Sequence, residues 1–248
     1  MRPFQNFGLA SFLFFLSCDC DQKTETASLP LLYREAIEDA IKMEPREFYD
    51  SLRTLKGDSV VMVTWISSEH LQDYKDKWSS GKPKVVKGFD MWVTSVPDLK
   101  NFCIEKGFND TDSASTRLKQ LLGLSPSNNN QYFIEVKAKW DHVYRATPNP
   151  DARTVGTFLP DDSVTVTKPY KEKYTNWYNK TLAGSYEGEE KMPWTRLGYT
   201  YDWGNQYSDI GLSEFVIPGK MESASFDVKV VGIYSTEQYC VLTKKDPK

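Results

Sequence analysis

Between Pro193 and Asn205 the chain reads Pro-Trp-Thr-Arg-Leu-Gly-Tyr-Thr-Tyr-Asp-Trp-Gly-Asn, and Glu214 follows nine residues later. Trp194, Tyr201 and Trp203 offer flat faces on which a sugar ring or a base can stack, while Arg196, Asp202 and Glu214 can fix its polar groups. Asp202 and Glu214 would serve as acid and base on a glycoside if a cleft held them about 5 to 10 Å apart. The composition favours a blander reading, a core strand and tight turn in which Arg196 and Asp202 satisfy each other. Glu187, Glu189 and Glu190 are poorer candidates, because a run of acids beside glycine usually forms a solvated loop.

Other chemistry is scarce. His70 and His142 are the only histidines, and no histidine pair at i, i+4, no Gly-x-Ser-x-Gly, no phosphate-cradling glycine loop and no Cys-x-x-Cys occurs. Both histidines read as ordinary surface or element-end residues, and neither a metal nor a cofactor is expected. Glu214 on a late strand before Pro218-Gly219 is loosely similar to NAD-consuming, ADP-ribosyl-transferring enzymes, but their Arg, Ser-Thr-Ser and paired-glutamate pattern is missing. The formal charge of −3 is spread through the chain, which leaves no electrostatic footprint for nucleic acid.

The amino terminus gives an address. Arg2, an apolar run from Phe7 to Leu16, then Ser17 and Cys18 follow the order of a bacterial lipoprotein signal. A run of about ten residues is too short to span a bilayer but suits a cleaved signal peptide. Residues 1–17 are expected to be removed, Cys18 to carry lipid that anchors the chain to a membrane, and 18–28 to form a polar tether. The body, residues 29–248, is then a single extracytoplasmic domain of the cell envelope. Cys103 and Cys240 could form a disulfide in an oxidising compartment, but two separately buried thiols is the reading preferred.

Apolar periodicity predicts the elements that must position the aromatic block. Tyr33, Ile37, Ala40 and Ile41 mark a first amphipathic helix, and Phe48, Leu52 and Leu55 a second after Pro45. Val60 to Ile66 reads as a central strand, and Met91 to Ser95 as a strand turning at Pro97 into a helix that Gly107 ends. Arg117 to Leu122 predicts a further helix closed by Gly123. Tyr132 to Trp140 alternates as a half-solvated strand, 147 to 160 reads as a long loop, and Tyr170 to Leu182 as an aromatic helix. Gly211 to Ile217 and Phe226 to Ile233 close the fold as strands. The fold class is α+β, a single domain with a mostly antiparallel sheet and several short helices.

Tyr33 to Ala40 (YREAIEDA), Trp92-Val93-Thr94, Arg117 to Leu121 (RLKQL), the Pro193 to Asn205 block, Gly211 to Ile217 (GLSEFVI) and Glu237 to Cys240 together resemble a family of bacterial proteins that has no assigned activity. Many relatives carry cysteines flanking the Pro-Asp segment, whereas here Ala146 to Val155 contains none. The resemblance implies a shared fold and no mechanism. The function expected is therefore a membrane-anchored binding or structural lipoprotein with a small-molecule or glycan ligand. The alternative is an extracytoplasmic enzyme acting on a carbohydrate or nucleotide-containing substrate.

Overall fold

The structure, a computed structural model, describes residues 28–44, 47–154, 171–187 and 191–242. The signal segment, Cys18, most of the tether, the end of the Pro-Asp loop, Glu189 and Glu190 lie outside these. Among the described residues no helix is long and apolar enough to cross a membrane.

Eight strands form one antiparallel sheet: β1 (Ser59–Ile66), β2 (Lys84–Val86), β3 (Asp90–Ser95), β4 (Tyr132–Lys139), β5 (Tyr144–Arg145), β6 (Tyr199–Tyr201), β7 (Ile210–Pro218) and β8 (Phe226–Ser235). Their order is β2-β8-β4-β1-β3-β7-β5, with β6 pairing β7 to one side. The β-branched run of β1 thus lies at the middle, as its composition predicts. Among the described residues five α-helices accompany the sheet: α1 (Leu29–Ala40), α2 (Leu71–Ser80), α3 (Val96–Lys106), α4 (Thr111–Leu121) and α5 (Lys171–Glu187). This is the α+β architecture expected from the sequence.

Local chemistry accounts for the boundaries. Pro97 sits in the first turn of α3, where its missing N–H costs nothing, and Gly107 ends the helix at φ +59. Asp110 caps α4 by accepting from the Ser113 N–H at 2.8 Å, so the helix begins six residues before its apolar stripe suggests.

Three expectations need correction. Phe48 to Leu55 is not a helix, because its backbone bonds outward instead: Arg53 N–H donates to Ser213 Oγ at 2.8 Å and Leu55 N–H to the Ala152 carbonyl at 2.9 Å. Its apolar residues still reach the interior, Leu52 against Leu197 and Tyr199, Leu55 in the main core. β4 alternates only in its second half. Phe133 and Glu135 are buried beneath a second layer in which Trp65, Leu99, Leu118 and Tyr239 pack.

That second layer holds the third correction. Cys103 on α3 and Cys240 in a π-helical turn (Glu237–Val241) are bonded to each other, not separately buried, with Cα atoms 4.8 Å apart across 137 residues. The sequence spacing could not reveal it, since only the folding of α3 against the carboxy-terminal turn brings the two together. Closing so long a loop removes much unfolded-state entropy, and native disulfides of this kind contribute about 2–5 kcal/mol. Urea unfolding of a C103A/C240A variant should show a loss of that size. Reductant should destabilise the native chain equally and leave the double variant unchanged.

Candidate functional site

β1 and β3 lie side by side at the middle of the sheet, yet only Met62–Ser95 and Val63–Thr94 pair in register. From there the strands part. A cavity of about 1200 Å³ opens between them, lined on one side by Val63 to Ser67 and on the other by Asp90 to Thr94. Successive strand residues point to opposite faces, so the lining draws on both faces of the sheet. The lining also includes His70, Asp73 and Tyr74 of the α2 region, Tyr33, Tyr201 and residues of the loop after α4.

Three of the six residues singled out in the sequence line this cavity: Trp194, Tyr201 and Glu214. Thr94 and Glu214 are directly opposed in the β3–β7 ladder, so Glu214, Thr94 and, two residues along, Trp92 share one face. Trp194 meets Trp92 edge to face at 5.8 Å and also packs on Tyr178 of α5. Glu214 is half-buried as a residue, but its Oε2 is sealed from solvent without a hydrogen-bond partner. The Trp194 indole N–H stands beside the carboxyl and favours its ionised form, yet Nε1 completes no hydrogen bond of normal geometry. Burial dominates and pushes the Glu214 carboxyl up to about 8. At neutral pH Glu214 is a protonated acid, able to donate as well as accept.

The other three are scaffold. Arg196, at φ +61 in the left-handed region, donates from Nη2 to the Ala40 carbonyl at 2.7 Å and the Ile41 carbonyl at 2.9 Å, which satisfies the end of α1. Asp202 is buried and takes a two-pronged contact from Arg117 of α4, at 2.8 and 2.5 Å. Trp203 donates to the Leu124 carbonyl at 3.1 Å and meets Tyr33 edge on. The expected Arg196–Asp202 pairing is absent, each residue being engaged by a different helix. Asp202 is thereby withdrawn from the acid–base role sketched from sequence. Of the poorer candidates, Glu187 is exposed at the end of α5.

Sequence reasoning did not assign Trp65 and Trp92 to the site, although they lie on β1 and β3 where the strands part. The Asn128-Asn129-Asn130 run, which carries no motif, also lines the cavity. His70 lies at the cavity mouth and is exposed, while His142 packs on Phe226 away from it. Elsewhere the carboxylates of Asp39, Glu47 and Asp209 lie within 4.8 Å of one another. A Glu47–Asp209 hydrogen bond, with Glu47 raised first by burial and then by its acidic neighbours, accounts for the cluster without an ion.

Comparisons with protein-family models, curated proteins and solved structures find no match, so the bacterial-family resemblance stands on its motifs alone.

The raised Glu214 carboxyl has a measurable consequence. Between the unfolded carboxyl value near 4.5 and about 8, the folded chain holds a proton that the unfolded chain has lost. Stability is therefore full below that window and declines as pH rises through it, by up to about 1.4 kcal/mol per pH unit. Glu214→Gln should remove this component. The difference in unfolding free energy between native and E214Q chains should grow in favour of E214Q from pH 5 to pH 8, as followed by urea unfolding.

Proposed function

We propose that the domain is a membrane-tethered binding module for an uncharged glycan, held in the cavity between β1 and β3. The observation that carries this reading is the combination, in one opening, of stacking surfaces with neutral hydrogen-bonding groups. Trp92 and Tyr201 supply aromatic faces, and Thr64 and Asn128 represent its hydroxyls and amides. Sugars are bound by this pairing of flat apolar contact with placed polar groups. The volume exceeds the roughly 300–1,000 Å³ of ordinary small-molecule pockets, which suits several linked rings better than one.

Charge supports the same reading. Asp73 is neutralised by Lys84, Asp90 accepts the Lys220 N–H at 3.0 Å, and Glu214 carries its proton.

The enzymatic alternative rests on Glu214, whose proton makes it a suitable general acid. Glycoside hydrolysis calls for a second carboxylate across the bond. Among the described lining residues the other carboxylates are Asp73 and Asp90, both already engaged. Binding without turnover is accordingly the better-supported reading. In a panel of neutral oligosaccharides, at least one should change the tryptophan fluorescence saturably with no product formed, and Trp92→Ala should weaken it at least tenfold. Silence across the panel would sink the glycan reading, and product release would move Glu214 to the catalytic role.

The tether is proposed from Cys18 and the apolar run before it. Mass spectrometry of protein purified from the producing bacterium should find the mature chain beginning at a lipid-modified Cys18. An unmodified amino terminus at any other residue would overturn the anchor.

A further inference from the structure

The face of the sheet that carries Val63, Trp65, Phe133 and Tyr234 is covered over part of its extent. Above these residues lie α3, α4 and the carboxy-terminal π-helical turn, packed through Leu99, Leu118 and Tyr239. Strand alternation continues the same face beyond that layer, through Ser59 and Val61 of β1, Lys137 and Lys139 of β4, and Asp227 and Lys229 of β8. All six are exposed. Val85 of β2, opposed to Asp227, carries the face to the sheet edge. The other side of the same strands, with Val136, Val228 and Val230, forms the main core with Tyr74 of α2 and Tyr174 of α5.

The lysines of this bare half-face stand together. Lys137 and Lys229 are directly opposed across β4 and β8, and Lys139 lies two residues further along β4. Opposed side chains are about 4.5–5.5 Å apart at Cβ, and like charges so placed are destabilising. Asp227 is the one acid at these positions, and among the described residues no ion pair engages Lys137, Lys139 or Lys229. The chain as a whole carries a formal charge of −3, so the cluster runs against its composition. Val61, Val85 and Val231 are exposed among the charges.

We propose that this face lies against the anionic phospholipid headgroups of the membrane to which the chain is tethered, a proposal that rests on the Cys18 anchor above. Lysine stems lie along apolar neighbours while their ammonium groups reach outward. A headgroup layer answers both parts, phosphate for the ammonium groups and a partly apolar boundary for the valines. The eleven residues 18–28 can reach at most about 40 Å, which holds the domain beside the bilayer and makes a weak contact with it effectively intramolecular. Each basic residue near an anionic surface strengthens the contact about fivefold, so three lysines offset by Asp227 favour this orientation about 25-fold. The fold gains nothing from the Lys137–Lys229 pair, whereas an anionic surface relieves its repulsion.

The test is lysine footprinting of the full chain, purified from the producing bacterium and added to vesicles of phosphatidylcholine alone or of phosphatidylcholine and phosphatidylglycerol at 7:3. Acetylation, read by peptide mass spectrometry, should slow about fivefold or more at Lys137, Lys139 and Lys229 on the anionic vesicles alone. Lys75 of α2 and Lys180 of α5, on the helices packed against the opposite face, should react equally on both. High salt should return the three lysines to their rate on neutral vesicles. K229E should lose the slowing at Lys137 and Lys139 yet melt at a higher temperature than the native chain, because an opposite pair replaces a like one. Flotation reports the anchor separately, since a lipid-modified chain rises with neutral vesicles too. Equal acetylation on the two vesicle types, or slowing shared by Lys75 and Lys180, would overturn the basic face and leave the anchor in place. Flotation with anionic vesicles alone, with the three lysines protected, would sink the anchor and keep the face; flotation with neither would sink both.

Discussion

β1 and β3 hold each other through two residue pairs, in a sheet whose other long neighbours pair along their lengths. The sheet is in effect two ladders, β2-β8-β4-β1 and β3-β7-β5, joined at Met62–Ser95 and Val63–Thr94 and open beyond. Each ladder is strong in itself, β1 and β4 matching over eight pairs and β3 and β7 over five. The opening between them must be kept at a fixed width by contacts made elsewhere, since a two-pair junction fixes little on its own.

The polar residues of the aromatic block supply part of that restraint. Arg117 on α4, which packs over β1 and β4, grips Asp202 just beyond β6, which belongs to the other ladder through β7. Arg196 ties the same segment to the end of α1, and accepts a left-handed backbone that costs about 1–2 kcal/mol to do so, offset by two carbonyl contacts. On the far side Arg145, fully buried, donates to the Arg53 carbonyl at 2.7 Å and the Thr154 carbonyl at 3.1 Å. Gly198 leaves room for it, a Cβ there falling 2.9 Å from Arg145 Cδ. Three arginines thus serve as struts, each spending its donors on backbone carbonyls or on one carboxylate.

This division explains what could be read in advance. The five longer strands, the central place of β1, the α3 start at Pro97 and the antiparallel class follow from local patterns of apolar residues, proline and glycine, whereas the short β2, β5 and β6 and the weakly apolar α2 carry no such pattern. The Cys103–Cys240 bond and the partners of Arg196 and Asp202 depend on which distant elements meet, and nothing in the spacing of those residues records it. The site was half legible. Glu214, Trp194 and Tyr201 stood out by residue type, but so did Arg196, Asp202 and Trp203, and what separates the two groups is the direction each side chain takes. Trp65 and Trp92 were hidden for a different reason: in a sequence they are strand aromatics like any others, and only the failure of two adjacent strands to stay paired turns them into walls.

The same opening explains why a carboxyl can persist where, among the described residues, no cation answers it. Glu214 sits on a strand whose partner, β3, presents Thr94 opposite it and Trp92 beside it, neither of which can neutralise a charge. Arg117, Arg145 and Arg196 are committed elsewhere, and Lys84 is taken by Asp73. Under those conditions an ionised carboxylate would carry its full desolvation penalty, so the group keeps its proton and becomes a donor. Had any of the three arginines pointed into the cavity, Glu214 would be an ordinary ion-paired acid. The struts that hold the fork open are therefore also what leaves its acid neutral, and shape and chemistry in this cavity have one origin.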